Sequence, residues 1–202
     1  MKNIIKNKKI AITGGIGSGK SLALKCLQEW GFPVFSCDEI YKEIIEFPKY
    51  VKQIEIVFPN CISNGKIDRK MLANEVFSNA EKLQKLNEIA HPLIMETLLE
   101  KMGQYEGLVF AEVPLLFEGN YESLFDSIIV IVRNNDSRIE SVIKRDGTTK
   151  EKVCNRINAQ FDYASPEAEE RLHDCEAFVI ENDGSIEDLK RALKRELKIE
   201  SM

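Results

Sequence analysis

Residues 9–13 form a short run rich in β-branched residues that leads straight into Gly14-Gly15-Ile16-Gly17-Ser18-Gly19-Lys20-Ser21. These eight residues satisfy G-x-x-x-x-G-K-[ST] at every required position. Glycines let consecutive backbone N–H groups turn inward without Cβ clashes, making a nest for an anion. Leu22, Leu24, Cys26, Leu27 and Trp30 then suit a mostly buried helix, and Gly31 is placed to end it. Such a helix aims its N-terminal dipole at the phosphates. Lys20 supplies a mobile charge for the β and γ phosphates, and the Ser21 hydroxyl suits Mg²⁺. The pattern predicts a strand–loop–helix unit that holds ATP by its phosphates. Its rivals are a glycine-rich turn with no ligand and a dinucleotide loop. The second fails because Lys20 stands where the third glycine of G-x-G-x-x-G belongs.

The rest of the chain extends this unit into an α/β fold. Strands are expected at residues 9–13, 33–36, 108–112, 127–132 and 178–181, apolar enough to be buried on both faces. They predict a five-stranded, mainly parallel sheet flanked by helices. About seventy residues separate the second strand from the third, too many for one crossover helix. Helical patterns fill that gap at 39–46, 50–57, 69–77 and 80–102, and Pro92 is expected to break or kink the last. A second polar helical stretch spans 136–171. The expected single domain therefore has a core of residues 9–37, 104–134 and 174–198. A helical insertion, 38–103, faces the substrate.

Composition narrows the functions open to such a fold. A net charge of −5 and a pI near 5.3 argue against a general nucleic-acid binder. No apolar run is long enough to span a bilayer, and no secretory signal pattern opens the chain. Five scattered cysteines without a CxxC pair suit free thiols. The expected setting is the cytoplasm, with the lysine-rich N-terminus (Lys2, Lys6, Lys8 and Lys9) and the last few residues the only candidates for disorder.

Two carboxylates stand where chemistry would need them. Asp38 follows the second strand, in the crevice where α/β proteins bind ligands, and could take a proton from an attacking hydroxyl. The competing reading makes it the N-cap of the next helix. Glu112 ends the third strand, as in a Walker B arrangement that steers Mg²⁺, or is a surface residue at a strand end.

Several longer segments carry a resemblance. ITGGIGSGKS at 12–21, GKIDR at 65–69, NEIAHPLI at 87–94 and EVPLLFE at 112–118 occur in that order. KRDG at 144–147, RINAQ at 156–160 and ENDGS at 181–185 follow. Over roughly residues 9–193 the chain resembles the dephospho-coenzyme A kinase family. The resemblance implies a P-loop kinase core with a coenzyme-binding helical region and a lid, which falls on the polar stretch 136–172. It implies transfer of the ATP γ-phosphoryl group to the ribose 3′-hydroxyl of dephospho-CoA, with Mg²⁺ on Ser21 and Glu112. By the same matching, Asp38 is the base, Lys20 neutralises the moving phosphoryl group and Arg145 closes over it from the lid. ATP then contacts Gly14, Gly15, Ile16, Gly17, Ser18, Gly19, Lys20, Ser21 and Leu22, with Asn182 and Gly184 near the adenine. Dephospho-CoA would meet Asp38, Lys42, Arg69 and His91. For Arg69 a helix salt bridge is the alternative, and for His91 a structural hydrogen bond.

Four positions depart from the family pattern. Ser36 replaces the first acid of an Asp-x-Asp pair, Lys42 an arginine, Glu112 an aspartate and Ser141 an arginine. Other functions sharing the loop fit less well. A GTPase would need N-K-x-D, and an ABC-type module an LSGGQ-like segment. A regulatory ATP-binding module without turnover would have no use for Asp38. Another small-molecule kinase on the same core stays open. No protein partner is implied beyond a monomer or small homo-oligomer.

Overall fold

The computed structural model describes residues 7–77 and 79–199. Lys2, Lys6 and the last three residues, expected as tails, lie outside that range, whereas Lys8 and Lys9 correct that expectation: they pair with β5 at the start of the first strand. β1 (Lys8–Thr13) leads through the glycine loop to α1 (Lys20–Glu29), and the chain returns in β2 (Val34–Ser36). Gly31, at φ 85°, ends the α1 connection as expected. α2 (Cys37–Ile44) and α3 (Pro48–Val57) follow, then a small hairpin of β3 (Ile62–Ser63) and β4 (Lys66–Ile67). α4 (Arg69–Phe77) and α5 (Ala80–Met102) precede β5 (Leu108–Glu112) and β6 (Ser127–Val132). After α6 (Asn135–Asp146), α7 (Lys150–Asn158) and α8 (Pro166–Asp174) come β7 (Phe178–Glu181) and α9 (Ile186–Leu197).

Five strands form one sheet in the order β2-β5-β1-β6-β7. β1 runs parallel to both β5 and β6, and β6 parallel to β7, with Ala11 beside Ala111 and Ile128. Of the five runs expected to be buried on both faces, residues 109–111 and 128–131 are buried throughout. β2 and β7 correct the expectation, because they are the sheet edges, β2 only partly buried and β7 exposing Phe178 and Val179. Ile10, Ile12, Leu27, Phe110, Ile131 and Leu193 anchor the core beneath the loop.

By contacts the chain divides into two units, Met1–Val34 with Met102–Met202, and Phe35–Lys101. The second is helical apart from its hairpin. That hairpin turns on Asn64 and Gly65, both at positive φ, the chemistry of a tight type I′ turn. Of the break or kink expected at Pro92, α5 corrects the break. It runs unbroken for 23 residues with Pro92 inside. An interior proline costs about 3 kcal/mol. Leu93, Ile94, Met95, Leu98 and Met102 are all buried, and each such side chain returns about 1.5–3 kcal/mol. Burial wins. The polar stretch expected as one helical region is likewise three helices, capped by Asn134, Thr149 and Ser165.

Candidate active site

The loop after β1 is shaped by what its glycines exclude. Gly14 sits at φ 139°, and a Cβ there would fall 2.1 Å from the Ile131 carbonyl oxygen, which is backbone and cannot yield. Gly19 is the N-cap of α1 at φ 103°, a left-handed conformation without a side chain to occupy the helix N-terminus. No acidic residue stands in the first turn of α1. The amide dipole is therefore left for an external anion. Lys20 is buried, and its Nζ donates to the carbonyls of Gly14 (2.8 Å) and Gly15 (3.1 Å). Its ammonium is thus held at the mouth of the loop, the place the motif requires.

Ser21 and Glu112 come together at this mouth: Ser21 Oγ lies 3.5 Å from Glu112 Oε2. β5 delivers the carboxylate and the first turn of α1 the hydroxyl. Asn182 is buried beneath the loop, where its Nδ2 donates to the Ser18 carbonyl (2.8 Å) and its own N–H to Val132. It braces the loop backbone. Gly184 precedes α9, and Asp188 packs close enough that a Cβ at 184 would meet its Oδ2 at 2.7 Å. Arg145, expected over the phosphates, is engaged elsewhere. Its Nε and Nη2 donate to both oxygens of Asp146 (2.7 and 3.1 Å), and Arg156 adds a third bond. These arginines hold the Asp146 carboxyl below the usual carboxylate range, the Arg145 hydrogen bond first among the causes.

The helical unit holds the remaining candidates. Asp38 is exposed at the second position of α2, and the cap is Ser36, whose Oγ accepts from the Asp38 N–H at 3.3 Å. The N-cap reading of Asp38 is therefore corrected: its carboxylate is not the cap acceptor. Lys42 lies in the last turn of α2, where its charge suits the helix dipole. Arg69 opens α4 and is exposed, while Asp68 caps that helix by accepting from Lys70 and Met71. Among the described residues Arg69 makes no ion pair, which removes the salt-bridge alternative. His91 is half-buried in α5, and burial pushes its imidazole below the ordinary 6.5.

Comparison with known proteins places the chain in a family. Residues 8–188 fit the family model described as dephospho-CoA kinase. The dephospho-CoA kinase of Thermus thermophilus is 38% identical over 186 residues, 92% of this chain and 88% of the relative. That of Fusobacterium nucleatum is 38% identical over 189 residues, 92% of this chain and 95% of the relative. A solved dephospho-CoA kinase from Campylobacter jejuni superposes with a TM-score of 0.65 at 29% identity, over 96% of both chains. The chain belongs to the dephospho-CoA kinase family.

Family membership gives the departures a structural meaning. Ser36 keeps a helix-capping role in place of a second acid. Ser141 accepts a hydrogen bond from Arg133 Nη1 at 2.9 Å. Glu112, longer than aspartate, still reaches Ser21. Three residues that touch the loop had no expected role. Arg138 Nε donates to the Ile16 carbonyl (2.9 Å), Gln160 Oε1 accepts from the Ile16 N–H (2.7 Å), and the Tyr163 hydroxyl meets Thr13 Oγ1 (3.2 Å). Burial and its surroundings push the Tyr163 phenol up to about 12. The one sequence signal for any of them is that Gln160 closes the RINAQ segment.

Proposed function

We propose that the chain transfers the γ-phosphoryl group of ATP to the ribose 3′-hydroxyl of dephospho-CoA, giving coenzyme A and ADP in the last step of CoA synthesis. The observation that carries this reading is the preformed loop in a chain of this family, with the Lys20 ammonium already drawn to its mouth. The 3′-oxygen forms a bond to the γ-phosphorus, and the bond from that phosphorus to the β–γ bridging oxygen breaks. Asp38 takes the hydroxyl proton as general base, and Lys20 offsets charge gathering on the transferring group. Loop amides from Gly14 to Ser21, with Leu22, hold the phosphates, and Asn182 and Gly184 shape the adenine side. The helical insertion, residues 38–103, is the substrate side, where Lys42, Arg69 and His91 meet dephospho-CoA. Residues 136–172 form the lid. Arg145 leaves Asp146 for the phosphates when the lid closes.

Mg²⁺ fits this site. Ser21 and Glu112 offer a hydroxyl and a carboxylate oxygen 3.5 Å apart, both hard donors. When bound, the ion neutralises charge across the β- and γ-phosphate oxygens. Among the described residues no helix is long and apolar enough to cross a membrane. The reading assigns the enzyme to the cytoplasm, as a monomer or small homo-oligomer. Its partners are ATP and dephospho-CoA, not nucleic acid.

The test is a phosphoryl-transfer assay with dephospho-CoA, adenylate and adenosine as competing acceptors. Preferential formation of CoA and ADP is expected. Faster turnover of adenylate or adenosine would assign the chain to another nucleotide-kinase activity, and ATP binding without transfer to any acceptor would make it a binding module.

A further inference from the structure

The backbone of Ile16 is held at both of its polar groups, which lie in successive peptide planes, by residues far along the chain. Its N–H donates to Gln160 Oε1 at 2.7 Å, and its carbonyl accepts from Arg138 Nε at 2.9 Å. Neither partner is loosely placed. Arg138 Nη1 donates to Asn135 Oδ1 at 3.0 Å, and its guanidinium covers Gly15 so closely that a Cβ there would sit 2.2 Å from Nη2. The α6 backbone also presses on the loop, with the Arg138 carbonyl 2.7 Å from where a Gly17 Cβ would lie. Gln160 is delivered by an anchored segment between α7 and α8. The next residue, Phe161, donates its N–H to Glu118 Oε1 (2.9 Å) and stacks on Phe117 at 4.8 Å. Arg171 lies over both rings, and Tyr163 bonds to Thr13 at the end of β1.

A loop with glycines at 14, 15, 17 and 19 gives up unusual conformational freedom when it closes round phosphates. Rigidifying it beforehand removes that cost from binding. The Ile16 peptide is the strategic place to do so. The carbonyls that hold the Lys20 ammonium belong to the two residues before it, and Gly17 follows it. The Ile16 N–H shares a peptide plane with the Gly15 carbonyl, and the Ile16 carbonyl shares the next plane with the Gly17 N–H, so rotation of either plane would redirect a group of the loop.

We propose that Gln160 and Arg138 are positioning residues for ATP, clamping the Ile16 peptide so that the loop is preset for phosphate. The proposal deepens the kinase reading and rests on it. Neither residue touches the reacting atoms. Both act through the loop backbone.

The test uses Gln160→Leu, which keeps the shape and loses the acceptor, and Arg138→Met, which loses the donor. Arg138→Lys keeps a donor and the charge. ATP affinity is measured by direct binding to the full chain without acceptor, so the result does not depend on which acceptor is phosphorylated. Dephospho-CoA binding and thermal stability are measured beside it. Losing one such hydrogen bond should weaken ATP binding about 3- to 10-fold. Dephospho-CoA affinity should hold, and Arg138→Lys should stay within about two-fold of wild type, as one retained donor implies. Wild-type ATP affinity in both Gln160→Leu and Arg138→Met would overturn the proposal. So would equal loss of dephospho-CoA binding, or an Arg138→Lys as weak as Arg138→Met. Hydrogen exchange at the Ile16 amide of the unaltered, ATP-free protein needs no variant. Protection is expected, and exchange at the rate of an open loop would refute the clamp.

Discussion

Asp38 and Ser36 are two residues apart on α2, and the structure separates their jobs enough to predict opposite signatures. Ser36 is the helix cap, but its bond to the Asp38 N–H is long at 3.3 Å. Ser36→Ala should then cost about 0.5–1 kcal/mol, the lower half of the usual cap penalty. Asp38 is exposed in the first turn, where its charge meets the helix dipole, and Asp38→Asn forfeits about 0.3–1 kcal/mol. For a chain of this length either loss lowers the melting temperature by only about 1–4 °C. Turnover should split the pair. A missing general base costs on the order of 10²–10⁴-fold, so Asp38→Asn should lose that much kcat while ATP binds nearly as before. Ser36→Ala, which keeps the carboxylate, should stay within about ten-fold, since its loss is the cap alone. Steady-state kinetics with dephospho-CoA, ATP binding and thermal melting on both variants decide the matter. An Asp38→Asn enzyme within a few-fold of wild-type kcat would refute the base assignment. Equal kcat losses in the two variants would show that Asp38 matters only through the geometry of α2.

Lys20→Met should lower kcat by about 10²–10³-fold or more, the scale of a lost transition-state charge contact. Because the ammonium also holds two loop carbonyls, some stability should go with it, about 1–3 kcal/mol by denaturant melting. Arg145→Ala should lower kcat more than ATP affinity and leave stability within about 1 kcal/mol, since its Asp146 pair is exposed. Unchanged kcat with weakened ATP binding would make it a ground-state anchor. His91 should give a pH signature. Its folded pKa lies below the ordinary 6.5, so the unfolded chain takes up the proton first. Its contribution is complete above about 6.5, falls as pH drops below that value and levels off below the folded pKa. His91→Gln should flatten this part of the stability–pH curve as pH falls below about 6.5, measured against wild type. Parallel curves would contradict burial of the imidazole.

What could be read in advance follows how far apart the cooperating residues lie. The phosphate loop is eight contiguous residues, and the strands at 108–112 and 127–132 announce themselves because burial on both faces demands unbroken apolar runs. The hairpin at 62–67 was missed although Asn64-Gly65 is a strong turn signal, because two-residue strands have no period to detect. Ser36 and Asp38 are both good capping residues, and only the backbone shows which one stops being extended first. Arg138 and Gln160 reach Ile16 across 122 and 144 residues, a juxtaposition no local pattern encodes.

The helix that carries Arg138 also bears on Arg145. Residues 138, 142 and 145 fall at i, i+4 and i+7, one stripe of α6. The first two demonstrably face the loop: Arg138 bonds to Ile16, and Val142 sits 2.9 Å from where a Gly17 Cβ would be. Arg145 continues that stripe, seven residues and so about 10.5 Å along the axis from Arg138, with only about 20° of angular drift. To bring its guanidinium to the phosphates, the helix need not turn. The long side chain must let go of Asp146 and reach back along the face that already touches the loop. Because that ion pair is exposed and screened, releasing it costs little. On the proposed role of Arg145, the pair with Asp146 is a resting contact for bound ATP to displace.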